Sequence, residues 1–307
     1  MTDATASAPV TPPTGSDPTP GPSGLGRRLS RSLSRHPRVE LGALLSGPLL
    51  WLLIIYIGSL GSLLLTSLYT TDSYTGSVVK TISFDNFHDL FTNPTFRTVT
   101  LRTIGIATAV TVIDLVLALP VAFFMAKVAS RRTRRALAVA VVLPLWASYL
   151  VKAYSWRVIL DPAGGVLYKT FGFSPGFGVG GAIVVLAYLW LPYMALPIYV
   201  GLEKLPNSLL DASGDLGAKA GRTFWSVVLP MLKPSILAGA IFTFSLSLGD
   251  YITVQIVGGK TQTIGNVVYR DFGSGNLPAA AALATVPIVI MVVVLLAIRR
   301  TGALENL

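Results

Sequence analysis

Of 307 residues, 52% are hydrophobic and only 12% charged, against roughly 25% charged in an ordinary soluble domain, and the mean hydropathy is +0.66. That balance excludes a soluble globular chain and a disordered one. The net charge of +10 comes from 24 Lys and Arg against 14 Asp and Glu, too sparse a basic surface for a nucleic-acid partner, while the lack of cysteine removes disulfides, thiolate metal sites and cysteine nucleophiles.

In chain order, residues 1–26 are rich in Pro, Thr, Ser, Ala and Gly and bury too little to offset the entropy of ordering. They extend into a basic stretch, so residues 1–40 read as a disordered cytoplasmic tail. Arg27-Arg28 before an apolar run suggests a twin-arginine export signal, but the run from Leu41 to Leu68 is too long for a signal core and no A-x-A site closes it. The bilayer core takes about 20 helical residues to cross. Gaps between charged residues offer six such crossings, over 42–68, 99–126, 136–156, 179–202, 234–257 and 279–298, within a transmembrane domain of residues 41–300. Asp114 and Asp250 lie inside the second and fifth, and Lys152, near the end of the third, is placed to snorkel to the interface. Tyr69 to Thr98 reads as a small polar folded segment and Tyr154 to Gly178 as a glycine-rich loop, with residues 301–307 a second cytoplasmic tail. The fold class expected is all-α, a polytopic membrane protein of six transmembrane helices.

Six crossings put both ends on one side. That side holds Arg27, Arg28, Arg31, Arg35 and Arg38, then Lys127, Arg131, Arg132, Arg134 and Arg135, then Lys204, Lys219, Arg222, Lys233, Arg299 and Arg300. These outnumber the basic residues opposite by two to one, which makes this side, and both termini, cytoplasmic. The high isoelectric point follows from that sidedness.

No catalytic constellation emerges, and no metal site: the histidines, His36 and His88, are isolated. Gly259-Lys260-Thr261 resembles the end of a phosphate-binding loop, but the glycine required five residues before the second one is replaced by Val254. Energy for uphill movement therefore has to come from a partner or an ion gradient.

The stretch 205–230 is the most informative. Ser208 followed by Asp211 resembles a capping box that starts a short helix, and Gly217 suits the left-handed turn that ends it. A second amphipathic segment presents Phe224, Trp225, Val227 and Val228 and is expected to break at Pro230 and Pro234. An interfacial linker under the bilayer is one reading of this composition. The spacing supports another. Asp211-Ala212-Ser213, Gly217, Val227 and Leu229-Pro230 fall at every interval of E-A-A-x-x-x-G-x(9)-I-x-L-P, so the stretch resembles the EAA loop of ABC importer permeases. The substitutions, Asp for Glu, Ser for Ala and Val for Ile, keep size and polarity similar. The resemblance implies a type I importer permease fold, in which Asp211, Ala212, Ser213, Gly217, Leu229 and Pro230 form the loop that couples to an ATPase. It also implies a second permease subunit, a cytoplasmic ATPase dimer that carries the ATP and Mg, an extracytoplasmic substrate-binding protein, and no cofactor in this chain. Leu143-Pro144-Leu145-Trp146 through Trp156, and Ser247 through Thr253 with Val257-Gly258-Gly259 and Ile264-Gly265-Asn266, resemble the spermidine/putrescine branch of that family.

Acids within spans are costly, by about 2.5–3.5 kcal/mol on insertion scales. Asp250 is open to two readings: attraction of an ammonium group, or hydrogen bonds that hold the broken backbone at Gly249-Asp250. For Asp114 the expectation is a structural partner, a hydroxyl or cation across a helix interface. Aromatic faces attract organic cations, and Trp146, Tyr149, Tyr154, Trp156, Tyr188, Trp190 and Tyr193 offer such faces, although most of them read as interfacial anchors. The substrate path is expected at Trp146, Tyr149, Asp250 and Tyr251. These features predict a permease in the bacterial inner membrane, in contact with lipid, that moves a small cation such as spermidine or putrescine. The alternatives are an ion-coupled secondary carrier that uses Asp114 and Asp250 as ion sites, or an ABC permease for a different small solute.

Overall fold

The computed structural model describes residues 37–72 and 75–300. Residues 1–36 of the basic tail, with Arg27, Arg28, Arg31 and Arg35, and the tail 301–307, lie outside them, whereas residues 37–40, expected in the disordered tail, belong to a helix. Five helices among the described residues are long and apolar enough to cross a bilayer, over Leu45–Ser67, Pro94–Val128, Val179–Lys204, Ala220–Gly249 and Leu277–Arg300. A bent pair, Arg131–Trp146 and Tyr149–Leu160, meets the same test jointly and brings the number of crossings to six when counted as one broken span.

The chain divides into two units, the first ending at Leu60 and the second starting at Gly61. The first is described by most of α1 (Pro37–Ser67), an apolar helix with Pro48 inside. The second opens with the ribbon β1 (Thr70–Thr71) and β2 (Val78–Val79), antiparallel with Thr70 opposite Val79. Asn86 Nδ2 then ties α2 (Asp85–Thr92) to the carbonyls of Ser67 and Tyr69 at 3.0 and 2.8 Å. Helix α3 (Pro94–Phe123) starts where Asn93 caps Thr95 N and ends in a wide turn over Phe124–Val128.

Next come α4 (Arg131–Trp146) and α5 (Tyr149–Leu160), bent by 97°. The sequence predicts one continuous span over 136–156, whereas the backbone turns extended at Ala147 and Ser148. Lys152 explains part of this: instead of snorkelling outward, its Nζ donates at 3.0 Å to the carbonyl of Pro144, an acceptor left open where α4 stops. The stretch Tyr154 to Gly178, expected as a loop, likewise holds the end of α5 and a short helix, α6 (Val166–Phe171).

Helix α7 (Val179–Lys204) is followed by α8 (Asn207–Asp215) and α9 (Ala220–Thr223). A second wide turn over Phe224–Val228 joins α9 to α10 (Leu229–Gly249). The expected break at Pro230 and Pro234 is not made, and the helix runs on from Ala220 to Gly249. Pro230 sits in the first turn of α10, where a missing N–H is tolerated, and the ladder beside it widens rather than stops, with Leu229 N bonded to Phe224 O. Then follow α11 (Ile252–Val257), α12 (Ile264–Gly273) and α13 (Leu277–Arg300).

The core is the packing of α3, α7 and α10. One end holds Ile106, Val110, Leu186 and Ala187, and the other holds Ala118, Ala122, Met194, Ala195, Ile198, Leu202 and Leu232. Close approach of α7 and α10 rests on small residues. A Cβ at Gly239 would stand 2.8 Å from Met194 Sδ and 3.1 Å from its Cα, and one at Gly201 would stand 2.2 Å from Ser235 Oγ.

Candidate functional sites: an aromatic cleft with a carboxylate, and an exposed short helix

Helix α10 ends at Gly249 because Asp250 turns extended, at φ −75° and ψ 122°, before α11 begins. The Asp250 carboxylate bridges this break. Its Oδ1 accepts from Thr253 N at 2.8 Å, and its Oδ2 accepts from Thr253 Oγ1 at 3.3 Å and from the Tyr149 hydroxyl. Tyr149, the first residue of α5 after the bend, reaches Asp250 only because α4 and α5 are not collinear. Its ring stacks on Trp190 of α7 at 6.1 Å, and Trp190 meets Tyr193 edge-on at 5.8 Å.

Tyr149, Trp190, Asp250 and Tyr251 thus line one cleft of about 300 Å³, with Ser245 and Gly249 on its α10 side. Gly249 and Tyr251 also line a neighbouring cleft of about 390 Å³ with Tyr269 and Phe272, where Tyr251 stacks on Tyr269 at 5.0 Å. Asn266 of α12 steadies this wall: its Nδ2 donates to Tyr251 O at 2.9 Å, and its Oδ1 closes a capping box with Thr263. A carboxylate ringed by aromatic faces attracts an organic cation through both charge and the ring quadrupole.

Three of the four expected path residues, Tyr149, Asp250 and Tyr251, come together here. Trp146 does not. It is 87% exposed at the end of α4 and lines an apolar groove with Val139, Val142 and Leu143. In the sequence Trp190 is one aromatic among several, and nothing in its run of apolar residues distinguishes it. Thr253 was legible in principle, because an acid followed three positions later by threonine at a helix start has the form of a cap. Asp114 departs from expectation: it is fully buried, yet among the described residues neither oxygen has a hydrogen-bond partner.

The second site is α8 with the turn after it. The capping box expected at Ser208 and Asp211 is not made; α8 begins two residues earlier, at Asn207, behind Pro206, without a side-chain cap. Gly217 takes φ +77° just beyond the helix, a conformation that favours glycine. Asp211 and Ala212 are exposed, as are Gly217 and Pro230, whereas Ser213 and Leu229 are half-buried. Ser213 Oγ pairs with Thr223 Oγ1 at 2.9 Å, which links α8 to α9. Lys127 fastens this region to α3, as its Nζ donates to Leu205 O at 2.7 Å and Asn207 Oδ1 at 3.0 Å. Phe224 packs edge-on against Phe123 at 6.4 Å, so the end of α3 meets the second wide turn. The result is a short helix with an exposed face, anchored at its root in the bundle.

Residues 112–301 match the family model described as the inner membrane component of binding-protein-dependent transport systems. The chain belongs to this family of ABC importer permeases. The permease is 42% identical to the inner membrane ABC transporter permease protein YdcU of Escherichia coli, across 94% of this chain and 97% of that one. It is 32% identical to the spermidine/putrescine transport system permease protein PotB of Haemophilus influenzae, across 73% of this chain and 81% of the relative. Among solved structures, a bacterial alginate ABC transporter in complex with an alginate pentasaccharide-bound periplasmic protein matches with a TM-score of 0.66 at 18% identity, over 88% of this chain and 95% of that one. The MetNI methionine ABC transporter in inward-facing conformations matches with a TM-score of 0.55 at 18% identity, over 69% and 97%. The permease therefore has the type I importer fold and is an integral inner-membrane protein. In its family the permease is a membrane component of the transporter, and the ATPase is a separate subunit.

Proposed function

We propose that this permease carries a small organic cation of the polyamine class across the inner membrane, driven by a separate ATPase. The observation that carries the reading is the cleft in which the Asp250 carboxylate stands among Tyr149, Trp190 and Tyr251. An ammonium group is attracted by the acid, and the methylene chain of a diamine lies against flat rings. Contacts of this kind are weak enough to release the solute, so capture falls to an extracytoplasmic binding protein. The likeness to permeases named for spermidine and putrescine supports the same solute class.

In this reading both termini and α8 are cytoplasmic, and the transmembrane domain is residues 41–300 between a basic tail at 1–40 and a short tail at 301–307. A second permease subunit completes the path. Asp211, Ala212, Ser213 and Gly217 dock into the ATPase dimer, which holds ATP and Mg, while Leu229 and Pro230 pass its movement into α10. Closure of the dimer on ATP draws the two coupling helices together and switches access from inward to outward, and it does so only to the extent that the closed ATPase binds one state better.

The test is ATP hydrolysis and uptake by the assembled transporter in proteoliposomes. Spermidine- or putrescine-loaded binding protein is expected to raise both. Stimulation by a neutral or anionic solute, with no response to polyamine, refutes the cation reading.

A further inference from the structure

Among the described residues, the buried side-chain nitrogen and oxygen atoms without a hydrogen-bond partner are both Asp114 oxygens, Trp190 Nε1, Thr243 Oγ1 and Ser247 Oγ. They come from three helices, and helix register places them within about one helical turn of one another. Helices α7 and α10 are antiparallel, with Gly201 against Leu232 and Ser235 and Gly239 against Met194. Continuing that register sets Thr243 beside Trp190 and Leu191, and Ser247 one turn beyond. On α3, Val110 clusters with Leu186 and Ala187, and Ala118 with Met194 and Ala195. Asp114, midway between them on the same buried stripe, comes level with Trp190 and Leu191.

Buried polar groups are ordinarily paired, and hydroxyls elsewhere in this bundle obey: Thr103 donates to Val99 O, Thr111 to Ala107 O and Thr285 to Ala282 O. Thr243 and Ser247 do not use their own helix in this way. The chemistry of the unpaired set selects its ligand. An indole N–H only donates, a carboxylate accepts, and a hydroxyl does either. A metal ion or an ammonium engages the oxygens and leaves the indole N–H unpaired, whereas water both accepts and donates. Pro192 adds an acceptor nearby, since without an N–H it cannot bond the carbonyl of Tyr188.

We propose that the junction of α3, α7 and α10 holds ordered water that bridges Asp114, Trp190, Thr243 and Ser247. This hydrated layer lies behind the Trp190 wall of the cleft and above an apolar cluster of Ala118, Ala195 and Ile198, with Met194 at the boundary. Water-mediated bonds are nearly as favourable as direct ones, so the layer satisfies polar groups that are otherwise costly to bury. The inference does not depend on which solute is carried.

Two buried methionines provide the test. Met194, 0% exposed, borders the layer, and Met125, 1% exposed, lies in the wide turn beyond the end of α3. In the assembled transporter in lipid nanodiscs, hydroxyl radicals generated from water are expected to oxidise Met194 several-fold faster than Met125. In the variant T243V/S247A, Met194 falls to the rate of Met125, whose own rate is unchanged. Equal, slow oxidation of the two in the native protein overturns the proposal, as does fast oxidation of Met194 that the double variant leaves intact. Protection of Met194 by sodium or spermidine also overturns it, because a cation then occupies the layer.

Discussion

The Asp250 carboxylate has two duties, and substitutions separate them. As an acceptor it holds Thr253 N and the break between α10 and α11; as a charge it faces the cleft. Asp250→Asn keeps an acceptor for Thr253 and removes the charge. A hydrogen bond to a charged group is worth about 1.5–3 kcal/mol, so apparent affinity for a polyamine in proteoliposome uptake is expected to fall by about 10- to 100-fold. Asp250→Leu also strands Thr253 N and leaves the Tyr149 hydroxyl only Thr253 Oγ1 as a partner, and lowers stability as well as transport. Trp146→Ala, outside the lining of the cleft, is expected to leave solute affinity unchanged. Equal losses at Trp146 and Asp250 in the uptake assay contradict this assignment of the cleft. At this scale Tyr149, Asp250 and Tyr251 were legible because an acid and aromatics at a broken helix are chemically conspicuous. The place of Trp190, and the lack of a partner for Asp114, were not, since both depend on which helices become neighbours.

Among the elements, the short helix α8 depends on its exit. Gly217 has open space around its Cβ position, so a side chain there meets no clash, but φ +77° costs other residues about 1–2 kcal/mol. Gly217→Val is expected to re-aim α8, abolishing ATP-driven uptake while membrane insertion and abundance persist; normal uptake in this variant counts against α8 as a coupling element. Gly239 is limited by space rather than by φ. Since the Met194 backbone at 3.1 Å cannot retreat as a side-chain tip does, Gly239→Ala separates α7 from α10 at a cost of about 1–3 kcal/mol, read as a lowered melting temperature of the purified permease. Long apolar runs made the crossings readable, and glycine at 217 made the turn readable. The 97° bend between α4 and α5 was hidden because Lys152 and Pro144 close it through a side-chain bond to the backbone, which leaves no periodic signature. Continuity through Pro230 was hidden too, because a widened turn accommodates a proline that an ordinary ladder rejects.

In the whole molecule, one packed unit of α3, α7 and α10 joins an aromatic, acidic cleft to an exposed helix. Lys127 and the contact of Phe123 with Phe224 tie the root of α8 to that unit, so force applied at α8 reaches α3 and α10 directly. The central claim is that a separate ATPase grips this helix. The chain has no native cysteine, so Ala212→Cys introduces a single reactive thiol on the exposed face of α8. The deciding measurement is cross-linking of that thiol in the assembled transporter, with ATP turnover followed in parallel. The account predicts a cross-link to the ATPase subunit that blocks the turnover stimulated by loaded binding protein. A transporter whose α8 never cross-links to an ATPase, and whose uptake by this chain alone follows an ion gradient, contradicts it.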